Sequence, residues 1–348
     1  MEVDIIDLKQ IMTLTTIDNK INNRVPELDI IKFFGILLVV LGHVTRMYTP
    51  KGLITPVVSS TELEMVTNVI YAFHMPLFVF VSGMTFCFVS LKKDDYQSFG
   101  SFSVNKIKRL MIPYFVFALF WVMPFMVGYG FRSFFPYLTN GLLLSLDSRH
   151  LWYVWMLFNV FIIFWTIRHI IKKFHMPVWV IIFVSGIIFF IRSRYSICPY
   201  FQIDNALTYQ FWFTIGYFAM HYKLLFRLCT PIIICIGLVA VGYMQMGGVK
   251  QYVYALSGIY IFYFFVPFLG NITSLRFFYL VNRNSFGIYL FHPIIIYLLF
   301  YYFSKFSIDP FLFTTITFVV SMAFSILFTE LVRYKKWGVI IGEKTKFK

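Results

Sequence analysis

Ten long apolar runs, separated by short gaps, constrain this chain more than any other feature of its sequence. Only 13% of the residues are charged, whereas a soluble domain has about 25%. Each run is near the length that a helix needs to cross about 30 Å of hydrocarbon. The sequence therefore predicts an all-α, polytopic integral membrane helical bundle with about ten transmembrane helices in a lipid bilayer. The runs occupy residues 30–48, 67–90, 108–128, 150–170, 177–191, 206–221, 229–246, 251–268, 285–303 and 311–332.

The basic residues are concentrated in alternate gaps between the runs. The gap before residue 108 contains Lys92, Lys93 and Lys106, whereas the gap before it contains only Arg46 and Lys51. Because loops rich in Lys and Arg stay in the cytoplasm, both termini are predicted to be cytoplasmic. The net charge of +15 is explained by this topology, so we expect no nucleic-acid partner.

The polar ends of the chain flank a single predicted membrane domain. Residues 1–28 form the predicted cytoplasmic N-terminal segment, 29–333 the membrane domain and 334–348 a basic cytoplasmic tail. The first apolar run begins too late for an ordinary cleaved signal peptide. The four cysteines have no metal-like spacing, so neither a metal site nor a disulfide framework is indicated.

A polar stripe on the first helix is the strongest candidate for chemistry. Lys32 and His43 enclose ten uncharged residues, FFGILLVVLG. Eleven residues of helix bring both side chains to nearly the same face, about 16 Å apart along the axis, and Asp29 lies near Lys32 on that face. Ionisable groups within a span usually face a bundle interior or a wet cavity. An imidazole there can serve as a general base.

Two further histidines lie within predicted spans. His74 comes out at a depth similar to that of His43 on the neighbouring helix, and His292 lies about 10 Å into the ninth run. Either could take part in catalysis or bind the acceptor. The alternative for both is a structural hydrogen bond between helices, and for His292 a polar contact near the bend that Pro293 introduces.

Charged and aromatic residues near the ends of the runs have two interpretations. Lys106 and Arg109 share a helix face and could hold phosphate, or they could anchor the helix at the lipid headgroups. The sequence HLWYVW, with His150, Trp152 and Tyr153, is typical of an interfacial aromatic belt. Its rings could also stack on an acceptor sugar.

Several short motifs resemble those of the integral-membrane acyltransferase 3 family. They are ELDIIKFFGILLVVLGHV, FHMPLFVFVSGMTF, KIKRLMIPYFVF, LWYVWMLF and FGIYLFHPIII. The first is the specific one, with Asp, a basic residue, ten apolar residues and His. The others are weak individually but occur in the family's order, between about residues 24 and 300.

The resemblance implies an enzyme that transfers an acyl group, commonly acetyl from acetyl-CoA, to sugars of surface polysaccharides and related glycans. Such an enzyme is an O-acetyltransferase of the cell inner membrane. It belongs to the acyltransferases that transfer groups other than amino-acyl groups. By position, His43 is implied as the catalytic base and Lys32 as its basic partner. Lys106 and Arg109 lie at the positions of the basic cytoplasmic motif with which members of the family are expected to bind the acyl donor. Acetyl-CoA is then a substrate, and no bound cofactor is implied.

Two alternatives stay open at the level of sequence. His43 can deprotonate the attacking hydroxyl or carry the acyl group itself as a covalent intermediate. A glycan exporter or transporter would also have about ten spans and intramembrane charges. The chain has no convincing inverted repeat, which favours the enzyme. It also lacks the GxSxG, HExxH, Walker A and GxGxxG motifs that would indicate other enzyme classes.

Overall fold

The computed structural model describes residues 25–92, 98–222 and 249–343, and every regular element in these ranges is helical. The all-α prediction is thus confirmed for these residues. The ten described helices are α1 (Pro26–Thr45), α2 (Thr61–Lys92), α3 (Phe99–Gly128), α4 (134–143), α5 (Trp152–Lys173), α6 (Val180–Arg194), α7 (Ile203–His221), α8 (Val249–Phe265), α9 (Arg276–Phe303) and α10 (Pro310–Tyr334). A 3₁₀ turn, Gly338–Ile341, follows α10.

Seven of the described helical segments are long and apolar enough to cross a membrane, namely α1, α2, α3, α5, α8 together with the 3₁₀ helix Val266–Ser274 that continues it, α9 and α10. The chain is therefore an integral membrane protein. Two further predicted spans correspond to α6, which is short at 15 residues, and to α7, which is more polar. The predicted span 229–246 lies outside the described residues, as do most of the N-terminal segment and the last five residues of the tail.

Several predicted helices are too short, because the structure extends them at their polar ends. The second, third and ninth runs were expected to begin at residues 67, 108 and 285, but the helices begin at Thr61, Phe99 and Arg276. The apolar run marks only the part of a helix that matches hydrocarbon, whereas its hydrogen bonding continues into polar sequence. As a consequence, Arg283 lies on α9 and not in a gap.

Helix α2 is central, because it packs against α1, α7 and α8. Glycines allow its backbone to approach α7 closely. A Cβ at Gly83 would lie 2.0 Å from the carbonyl oxygen of Phe213, and one at Gly216 would lie 1.9 Å from that of Phe80. Small residues at such crossings are typical of membrane helix pairs.

Polar side chains of α7 are buried between helices, which explains its low hydropathy. Gln210 and Thr214 are fully buried, and the Thr214 hydroxyl lies 2.8 Å from that of Ser185 on α6. The polar side chains of α7 therefore face the interior of the helical bundle.

Helix α3 changes geometry beside the basic residues of its first turns. A π-helical segment, Ile107–Met111, follows Lys106 and precedes Pro113. Proline has no N–H to continue the ladder, and single π-helical turns are frequent at functional sites. This segment contains Arg109, which becomes part of the cavity described below.

Candidate active site

A cavity of about 410 Å³ lies between α1, α2, α3, α5, α9 and the chain that follows α10. Small-molecule sites typically have volumes of about 300–1,000 Å³. Apolar residues such as Ile36, Val39, Phe78 and Leu157 form much of its wall. The cavity is thus large enough for part of an elongated ligand.

Basic residues are concentrated on the cavity wall. Five line it, together with a single acidic residue, Glu343, and the basic ones are Lys32, Lys106, Arg109, Arg283 and Arg333. We call this group the cationic end. Such a density of positive charge suits an anionic ligand group, since Arg and Lys form strong hydrogen bonds to phosphate.

The structure brings together three of the residues that the sequence singled out. Lys32, Lys106 and Arg109 come from two helices and line the same cavity. The ammonium of Lys32 lies 3.6 Å from the carboxylate of Asp29, which is not itself a lining residue. Lys106 is buried, and its Nζ lies 3.3 Å from the centre of the Phe161 ring. A buried side chain is not a simple headgroup anchor.

Arg333 is the hub of a network that the sequence did not reveal. Its guanidinium donates to Glu330 at 2.7 Å, to the Asn284 side chain at 2.6 Å and to Glu343 at 2.7 Å. Arg283 donates to Glu330 at 3.2 Å. The network joins α9, α10 and the segment after α10. The signal in the sequence was the charged pair at positions 330 and 333, one turn apart at the end of an apolar run.

The segment after α10 closes one side of the cavity. Ile341, Gly342 and Glu343 are lining residues. Gly342 has a φ of +72°, and a Cβ there would lie 2.5 Å from the carbonyl oxygen of Arg109. Only glycine fits both the left-handed backbone and this close approach.

Four histidines form a second group, which we call the histidine cluster. The rings of His43 and His292 are 5.0 Å apart, edge to face, and His150 lies 6.1 Å from His292. His74 joins through Tyr71, whose ring is 4.7 Å from His74 and 6.2 Å from His43. The sequence predicted a similar depth for His43 and His74 on neighbouring helices, and in the structure the ring of Tyr71 contacts both.

The four histidines differ in burial. His74, His150 and His292 are buried, at 1%, 4% and 0% exposure, whereas His43 is partly exposed although it lies deep in the bundle. His43 is therefore the least buried member of the cluster.

The cavity approaches the histidine cluster without including it. Val39, one helical turn before His43, is a lining residue, and so is Tyr289. The Tyr289 ring lies 5.6 Å from that of His150 and 6.3 Å from that of His292. The wall that carries the cationic end thus also includes residues one helical turn or one ring contact away from the histidine cluster.

The interpretation of HLWYVW as an interfacial belt is wrong for two of its residues. His150 and Tyr153 are buried, and Tyr153 lines the cavity. Trp152 packs on Tyr209 at 5.8 Å between ring centres and is not a lining residue. The sequence missed the position of His150 because a residue at the start of a helix faces lipid or protein depending on its neighbours. Across the described ranges, no group of three His, Cys, Asp or Glu side chains could hold a metal ion.

A family model described as an acyltransferase domain matches residues 25–330. The chain belongs to the acyltransferase 3 family. It is therefore a membrane protein of an acyltransferase family, and the resemblance seen in its motifs is confirmed. The chain is 28% identical over 179 residues to the nodulation protein NolL of Mesorhizobium japonicum, a match that covers 51% of the present chain and 44% of the relative. The chain thus matches less than half the length of that relative. No solved structure gives a significant match.

Proposed function

We propose that this acyltransferase transfers an acetyl group from acetyl-CoA to a hydroxyl of a surface polysaccharide or lipid-linked glycan. One observation carries the proposal: a single cavity has five basic residues on its wall and extends to within one helical turn of His43. Coenzyme A is an elongated molecule, with phosphates at one end and the reactive thioester at the other. The cavity has the matching polarity.

The cationic end would bind the phosphates of the donor. Lys106 and Arg109 fit this role because both lie on the wall with Lys32. Lys32 and His43 are about 16 Å apart along α1, a length similar to that of the pantetheine arm. The positive-inside bias would put this end on the cytoplasmic side, where acetyl-CoA is available.

His43 would act as the general base of the transfer. It removes the proton of the acceptor hydroxyl as the oxygen attacks the thioester carbonyl. The carbon–sulfur bond then breaks, and the proton passes from His43 to the departing thiolate of coenzyme A. General acid–base catalysis by a positioned imidazole accelerates a reaction by about 10²–10⁴-fold. A covalent acyl-histidine route would use the same residue as nucleophile.

Transfer of label from acetyl-CoA tests the proposal directly. Membranes containing the protein are incubated with acetyl-labelled coenzyme A and a series of purified glycans. We expect label in the glycan and none with membranes that lack the protein. Transport of unmodified glycan into sealed vesicles, without any labelled product, would instead support the exporter.

A further inference from the structure

Backbone carbonyls determine which nitrogen of each buried histidine carries the proton. The Nδ1 atoms of His74 and His292 lie 2.8 Å from the carbonyl oxygens of Ile70 and Ile288. A carbonyl oxygen only accepts hydrogen bonds, so these nitrogens must be the N–H donors. In a neutral ring the other nitrogen, Nε2, is then a bare acceptor.

The bare Nε2 of His292 has no hydrogen-bond partner within the described residues, although the side chain is fully buried. The Nδ1 atom of His43 is likewise buried and without a partner there. The two rings meet edge to face with centres 5.0 Å apart. The two nitrogens are not hydrogen-bonded to each other in the structure, but at this ring separation a small rotation or one bridging water joins them.

The ring contacts of His43 in the described residues are with His292 and Tyr71, at 5.0 and 6.2 Å between ring centres. In many histidine-dependent enzymes a carboxylate accepts the second N–H of the catalytic ring and fixes its tautomer. Here the ring packed edge to face on His43 is that of His292, which carries a bare Nε2 able to accept such an N–H.

We propose that His292 is a positioning residue for His43. In the active arrangement its Nε2 accepts the Nδ1–H of His43, after a small ring rotation or through one water, which leaves the Nε2 of His43 bare and ready to take the proton of the acceptor hydroxyl. While His43 holds that proton, the same hydrogen bond stabilises the resulting imidazolium. The proposal rests on the proposed role of His43 as the base.

Two substitutions separate this role from a structural one. His292→Asn retains an N–H that can bond the Ile288 carbonyl but has no atom at the position of Nε2. His292→Gln can place an amide oxygen there. We expect His292→Asn to lower kcat about 100-fold, in the range for loss of acid–base function, while the KM for acetyl-CoA stays within about two-fold. The Gln variant should recover at least about one tenth of the wild-type kcat. Equal kcat values in the two variants would overturn the proposal.

The tautomer of His43 gives a second readout that does not require turnover. In ¹⁵N-histidine NMR of the full chain in detergent, with His43 assigned by its absence in His43→Ala, the wild type should show the Nδ1–H form. His292→Asn should shift it toward Nε2–H. A wild-type ring protonated on Nε2, or an unchanged tautomer in His292→Asn, would refute the positioning role. A wild type with the expected tautomer but no acetyl transfer would instead refute the proposed function.

Discussion

The cationic end of the cavity and the histidine cluster differ in how their polar side chains are partnered. At the cationic end five basic side chains lie together, and two of them pair with Glu330 and Glu343. In the histidine cluster the ring nitrogens are instead held by backbone carbonyls or lack partners. In the proposed function the first region would bind the donor electrostatically and the second would transfer a proton.

The distance between the two regions has a kinetic consequence. A contact to the donor far from the reacting carbon contributes nearly equal binding energy to the ground state and the transition state. A group that moves the proton acts only in the transition state. Substitutions at the cationic end should therefore change KM, whereas those in the cluster should change kcat.

The largest effect is expected at His43. His43→Ala should lower kcat by about 10³-fold or more, because it removes the base, and should leave the KM for acetyl-CoA near its wild-type value. Steady-state transfer at varied acetyl-CoA measures both constants. His169→Ala is the matched control, since that ring stacks on Trp165 at 4.8 Å, outside the cluster. A well-folded His43→Ala protein with wild-type turnover would remove the distinction between the two regions.

An intermediate effect is expected at Arg109. Arg109→Ala should raise the KM for acetyl-CoA about ten-fold, the loss of roughly 1.4 kcal/mol of binding, with little change in kcat. S-acetyl pantetheine, which lacks the nucleotide, should be almost insensitive to the substitution. Lys108→Ala provides the control, because Lys108 is exposed and is not a lining residue. Equal losses with both donors would show that Arg109 supports the fold and not the phosphates.

The smallest effect is expected at Glu343, whose carboxylate competes with an anionic ligand for Arg333. Glu343→Gln should lower the KM for acetyl-CoA by about two- to five-fold, the range of a partly exposed ion pair. Donor titration with the purified variant measures the shift. A higher KM would mean that Glu343 acts mainly by holding Arg333 in place, and the charge balance at the cationic end would need another explanation.

The sequence predicted those parts of the site in which a charge interrupts an apolar run. Lys32, Lys106 and Arg109 reach one cavity because helical periodicity fixes the face of each residue. Periodicity does not show which residue of another helix lies opposite that face. The ring contact between His150 and His292 could therefore not be predicted from the sequence. Arg283 was missed because α9 begins before the hydrocarbon-length run, in sequence that resembled a gap. Arg333 was missed because it follows the last apolar run directly, at the edge of the predicted membrane domain.

Because Gly342 lies against Arg109, part of the cavity wall is made by residues that are synthesised after the helices. Residues 341–343 follow every described helix in the chain but form part of the cavity wall. These residues are therefore the last of the described cavity wall to be synthesised. A truncation before Gly338 would remove none of the ten described helices, but it would take Ile341, Gly342 and Glu343 out of the cavity wall beside Arg109.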